Sequence, residues 1–191
     1  MSFTITRQIG IDAGHRIASH ASKCCHLHGH RYVVEASCRS VDGRLHDQGE
    51  QSGMVLDFGF LKEEMMDHID TPCDHGLIVE LGDADLLNLF VPPGSDVWMW
   101  REALSAEIQT NGYVATSETR LNQKLYVVPF PPTAECLARH WFERLGPAVQ
   151  RRSNGLAELD CVTVWETPNC RADYRARSHP GAGSGSGGDR C

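Results

Sequence analysis

Three histidines define the chemistry open to this sequence. His28-Gly29-His30 sets two imidazoles two residues apart. On a strand such residues point to one face, with Cα atoms roughly 6.5–7 Å apart, which suits two ligands of one metal ion. Gly29 removes the side chain between them and lets the backbone approach closely. His15 ends the preceding apolar stretch on the matching parity. If the two stretches pair through the 16–27 loop, three rings converge. Three neutral imidazoles suit zinc, with bonds of about 2.0–2.1 Å, and leave a fourth position for water or substrate, the mark of a catalytic site. His20 and His26 compete from the loop, where no strand holds them.

Cys24 stands four residues before His28. A thiol beside a cationic metal ionises more readily, so Cys24 is open to three roles: fourth ligand, nucleophile or general base. Chemistry alone does not separate it from the adjacent Cys25. Asp74-His75 is a second candidate, because a carboxylate beside an imidazole selects its tautomer and raises its basicity. Glu166 lies near the end of an otherwise apolar run, Val164-Trp165-Glu166-Thr167. A buried carboxylate needs partners, and a heterocycle with two adjacent N–H groups would supply them; at a strand end, water would serve instead.

The elements that must hold these groups follow from periodicity. Phe3–His15 and His28–Val41 alternate as strands, with Ile9, Ile11 and Ala13 on the His15 parity and Tyr32, Val34 and Ala36 on that of His28 and His30. Met54–Leu56 reads as a short strand ending at Asp57, the N-cap of a helix carrying Phe58, Leu61, Met65 and Ile69. An apolar run follows at Leu77-Ile78-Val79. The segment from about 79 to 121 holds predicted helices at Asp83–Phe90 and Val97–Gln109, the second closed by Gly112. Leu121–Val128 reads as a strand. Pro131-Pro132-Thr133 opens the best-marked helix, which Gly146-Pro147 stops. Leu159–Thr167 is the last clear strand. This order predicts an α+β fold, with helices on one face of an antiparallel sheet.

A single domain over residues 1–174 is expected, followed by a disordered Gly/Ser-rich tail over 175–191 that includes Cys191. A formal net charge of −7 argues against a nucleic-acid surface. No stretch approaches the roughly 18 apolar residues of a membrane span, and Met1–Gln8 shows no signal-peptide pattern. The eight cysteines are dispersed without Cys-x-x-Cys pairs, so a cytoplasmic location is expected, with Cys38, Cys136 and Cys161 read as small buried residues.

Ile11-Asp12-Ala13-Gly14-His15-Arg16, followed by Lys23-Cys24 and Leu27-His28-Gly29-His30, resembles the 6-pyruvoyl-tetrahydropterin synthase superfamily. Gly53-Met54-Val55-Leu56-Asp57-Phe58-Gly59, Asp74-His75, Pro132-Thr133-Ala134-Glu135 and Trp165-Glu166-Thr167 match further motifs in the same order, so the resemblance covers Ile5 to Tyr174. The three residues between Cys24 and His28 look like the bacterial carboxypterin-forming branch of queuosine biosynthesis.

The resemblance implies a tunnelling fold: a four-stranded antiparallel sheet with two main helices on one face, here with a helical insertion at about 79–121. It also implies trimers that close their sheets into a barrel and stack as a homohexamer, with sites between subunits. Zn2+ on His15, His28 and His30 would acidify the side-chain hydroxyls of a pterin triphosphate. Cys24, Asp74 and His75 would be catalytic, Glu166 and Thr133 would bind substrate, and Lys23 and Arg16 are candidate phosphate contacts.

Overall fold

The alternation read above builds the longest hairpin of the chain. In the computed structural model, which describes residues 2–175, β1 (Thr4–His15) pairs antiparallel with β2 (His28–Ser40), from Thr4 opposite Arg39 to His15 opposite His28. On the far side of β2 lie β6 (Ala157–Thr167) and then β7 (Cys170–Arg175), both antiparallel. The other edge of β1 carries β3 (Gly76–Glu80) in parallel, over Ala13–His15 only. Next come β5 (Leu125–Val128), parallel to β3, and β4 (Val114–Thr116), antiparallel to β5. The sheet therefore has seven strands in the order β4-β5-β3-β1-β2-β6-β7.

This mixed sheet departs from the expected four-stranded antiparallel one, and its helices cover both faces. One face packs Ile11, Tyr32, Val34 and Val164 against α1 (Phe58–Met65) and α5 (Ala134–Arg152). On the other face Val79, Leu125 and Val127 pack against α3 (Ala84–Asn88) and α4 (Val97–Asn111). A strand buried on both faces reads as a continuous apolar run. That is why Leu125-Tyr126-Val127-Val128 does not alternate, with Tyr126 and Val128 in one core and Leu125 and Val127 in the other.

Caps behave as their residue types predict. The Asp57 carboxylate accepts from the Gly59 and Phe60 N–H groups at the start of α1, and Thr133 Oγ1 accepts from Cys136 N–H at the start of α5. Past Met65 the helix widens into a π-turn, Met66–Asp70, and ends in the single turn α2 (Thr71–Cys73). Met54–Leu56 forms no strand. β5 starts only at Leu125, because Leu121 and Asn122 adopt left-handed φ values of 66° and 53°.

Gly146-Pro147 does not end α5, which continues to Arg152. Part of the proline's cost is a clash with the Cβ and N–H of the residue before it, and Gly146 has no Cβ; burial of Leu145, Ala148 and Val149 offsets the lost hydrogen bond and holds the remainder helical. Two short strands, β4 and β7, had no clear sequence signal. Of the expected tail, Arg175 closes β7, and 176–191 with Cys191 lie outside the described residues. Cys38 and Cys161 are buried as expected, whereas Cys136 is half-buried.

Candidate active site

The β1–β2 register brings the histidines together. His15 lies opposite His28, and His30 lies opposite Ala13, all on the face of Ile11 and Tyr32. Ring centroids are 4.6 Å apart for His15 and His28, 5.2 Å for His15 and His30, and 4.9 Å for His28 and His30. One ligand atom from each ring lies within 4.8 Å of the others.

Backbone carbonyls orient two of the rings. Pro132 O lies 2.8 Å from His15 Nδ1, and His26 O lies 2.7 Å from His28 Nδ1. Such acceptors hold the proton on Nδ1 and leave Nε2 as the donor to a metal. His15 Nε2 and His30 Nε2 are buried nitrogens with no hydrogen-bond partner among the described residues, an arrangement that costs stability unless something else satisfies them. Burial pushes the His15 pKa down despite the opposing Pro132 carbonyl and Glu166, and burial likewise lowers His30. The neutral ring is the form that ligates. The donor set therefore fits a metal ion.

A cleft of about 320 Å³ opens beside the rings, lined by His15, Cys24, Thr133, Glu166, His20 and Cys170, among others. Glu166 reaches it through a β-bulge. Trp165 pairs with Arg171 and Thr167 with Cys170, which leaves Glu166 as the extra residue; such bulges re-aim a side chain. Its Oε1 lies 3.4 Å from His15 Nε2 and 3.8 Å from His30 Nε2. Cys24 sits in a single 3-10 turn, Lys23–Cys25. The Ile17 N–H donates to Cys24 O at 2.8 Å and folds the loop back over the end of β1.

The neighbours sort out as well. Cys25 does not line this cleft, and His20 lines it without joining the three rings. His26 contributes a carbonyl rather than its ring. Arg16 is engaged by the buried Asp83, which accepts at 2.6 Å from its Nε and also from its Nη2 while capping α3. Its charge is thus spoken for within the fold. Lys23 stands exposed.

Asp74 and His75 form the expected pair, His75 Nδ1 to Asp74 Oδ2 at 2.6 Å. Burial pulls the Asp74 carboxyl up, but the Asp12 N–H at 2.8 Å, His75 and Lys124 outweigh it and hold the group below its usual range. The pair does not line the cleft, and the His75 side chain is 78 % exposed. One chain therefore assembles His15, His28, His30, Cys24, Thr133 and Glu166 and leaves Asp74-His75 outside. Asp83, Lys124, the Pro132 carbonyl and Cys170 were not singled out in the sequence. Asp83 stood only at the start of a predicted helix, Pro132 only in a helix-start motif, and Lys124 and Cys170 carried no signal.

The family described as 6-pyruvoyl tetrahydropterin synthase matches residues 4–177. The chain is 31 % identical over 165 residues to a 6-carboxy-5,6,7,8-tetrahydropterin synthase of Rickettsia bellii, covering 86 % of this chain and 94 % of that one. It is 28 % identical over 176 residues to the Haemophilus influenzae enzyme of the same name, covering 91 % and 99 %. An uncharacterized Wolinella succinogenes protein shares the fold with a TM-score of 0.64 at 23 % identity, over 92 % of this chain and 98 % of that one. A Plasmodium vivax 6-pyruvoyl tetrahydropterin synthase shares it at 0.57 and 17 %, with the same coverage.

Proposed function

The chain belongs to the 6-pyruvoyl tetrahydropterin synthase family of enzymes, and on that premise we propose that it is a carboxypterin-forming lyase. It converts 7,8-dihydroneopterin triphosphate and water to 6-carboxy-5,6,7,8-tetrahydropterin, acetaldehyde and triphosphate, in the cytoplasm, as a step of queuosine (7-deazaguanine) biosynthesis. The observation that carries the reading is the cluster of His15, His28 and His30 beside a cleft that His15 lines together with Cys24 and Glu166, together with the names of the relatives. No helix among the described residues is long and apolar enough to cross a membrane.

His15, His28 and His30 hold zinc, which supplies Lewis-acid acidification of the substrate's side-chain hydroxyls. Glu166 accepts hydrogen bonds from the pterin ring, with Thr133 on the cleft wall. The Cys24 thiolate takes a proton from the pterin side chain and returns it, as general base and then acid. His75, oriented by Asp74, handles the hydroxyl protons. Because His75 stands outside its own cleft, this reading draws it from a neighbouring subunit of a homo-oligomer, a hexamer built as a dimer of trimers. β1 pairs with β3 only over Ala13–His15, and Asp12 is taken by Asp74 and His75, so Thr4–Ile11 present an open edge among the described residues. An edge of that length calls for a partner.

The test is incubation of the zinc-loaded protein with 7,8-dihydroneopterin triphosphate and product identification by mass spectrometry. Acetaldehyde and the carboxypterin are expected. Glycolaldehyde would indicate simple side-chain cleavage, a pyruvoylpterin the sister activity, and binding without turnover a non-catalytic zinc or pterin carrier.

A further inference from the structure

Residues 76–128 contribute none of the groups assigned above, yet they meet the site at two points. Asp83 clamps Arg16, the neighbour of His15. Lys124, at the entry to β5, reaches the turn that carries Asp74 and His75. Its Nζ donates to the Asp74 carbonyl at 2.8 Å and to the Thr71 carbonyl at 3.1 Å. The stem has a prepared path: a Cβ added at Gly76 would sit 3.2 Å from Lys124 Cδ and 3.2 Å from its backbone oxygen. The Leu77 N–H donates to that oxygen at 3.0 Å and sets the height of the lysine on the sheet.

The turn needs holding. His75 has φ 56°, a left-handed conformation that is strained for a residue with a Cβ. The Asp74 carbonyl and the His75 N–H belong to one peptide unit, and both ends are tied. The N–H donates to Asp12 O at 2.7 Å, and the carbonyl accepts from Lys124. Rotation of that unit would swing the imidazole away from Asp74 Oδ2.

We propose that Lys124 is the positioning residue of the Asp74-His75 pair: its ammonium pins the peptide unit between them, so the β3–β5 extension serves the reaction by presenting the His75 ring. This rests on the reading in which His75 carries protons.

The experiment compares Lys124→Met, Lys124→Gln and Lys124→Arg in the full zinc-loaded chain, alone and with His75→Asn. Lys124→Met and Lys124→Gln should lower kcat about tenfold, with zinc content and KM for 7,8-dihydroneopterin triphosphate unchanged, and Lys124→Arg should restore most of it. In the His75→Asn background the lysine change should cost nothing further, since groups acting as a unit are not additive. Nitrogen NMR of the His75 ring should show one tautomer in the parent and a mixture in Lys124→Met. Full kcat in both neutral variants, or a tenfold loss that persists with His75→Asn, overturns the proposal. If His75→Asn itself turns over normally, the assigned role of His75 falls instead. The tautomer measurement then still decides whether Lys124 sets the ring, and an unchanged ring signal rejects it. A variant that fails to fold is replaced by the other neutral one.

Discussion

The histidine triad and the Asp74-His75 pair present the same side chain by opposite means. His15, His28 and His30 stand on two long paired strands, at positions set by a two-residue period and one register, and they face inward. His75 stands on a left-handed turn at the junction of the antiparallel and parallel parts of the sheet and faces solvent. A regular ladder holds rings together cheaply, because every residue of the strand helps to hold the register. A turn must be tied point by point, and here Asp12, Asp74 and Lys124 supply the ties. On the proposed reading, a group that serves its own chain's site can be buried, whereas one that serves a neighbour's has to be offered outward.

The largest effect should come from the inward set. His28→Ala should lower metal affinity by well over the ~10–100-fold that loss of an outer hydrogen-bond partner costs, and turnover with it. Elemental analysis after chelator challenge checks this, and stoichiometric zinc in the variant breaks the assignment. Next, Cys24→Ala and His75→Asn should each cost on the order of 10²–10⁴ in kcat with zinc retained. Mixing the two inactive variants under conditions that exchange subunits should restore turnover, because some clefts then combine an intact Cys24 with an intact His75. Failure of mixing to restore activity, with exchange verified, would place both groups in one subunit and erase the contrast.

The smallest effect concerns His140, a buried imidazole outside the triad. Its Nε2 lies 2.6 Å from the Tyr126 hydroxyl, and burial, with the Arg144 charge, pushes its pKa down from 6.5 to about 3. Below pH 6.5 the unfolded chain binds a proton that the folded chain refuses until about pH 3, so stability falls as pH falls through that window. The slope is about 1.4 kcal/mol per pH unit. Urea titrations should show a shallower acid limb for His140→Gln; parallel limbs would mean the buried ring carries no such penalty.

Much of this contrast was legible in the residues. Alternation over Phe3–His15 and His28–Val41 and the shared parity of three histidines were enough to place the triad, since a strand's geometry is local. Thr133 capped its helix for the same reason. What stayed hidden depends on distant partners. The second core was masked because Leu125-Tyr126-Val127-Val128 reads alike whether one face is covered or two. β7 was missed because Cys170, Ala172 and Tyr174 alternate too weakly for a strand signal. Arg16 looked available for a phosphate until Asp83, 67 positions away, took its charge. Asp74-His75 was visible as a pair, but nothing local says that it faces away from its own cleft.

The proline inside α5 has a consequence for how the molecule breathes. A residue without an N–H leaves the carbonyl four positions back without its helical donor, so α5 lacks one rung at Pro147, and its last turn is held less firmly than the rest. The turn beyond the proline, Ala148–Arg152, is too short to persist without support. It leans on Ser153, whose hydroxyl exchanges hydrogen bonds with Ala157 at the start of β6. Amide protons of 148–152 should therefore exchange with solvent in step with those of the first β6 residues, and independently of those at the Thr133 end, where the helix borders the cleft.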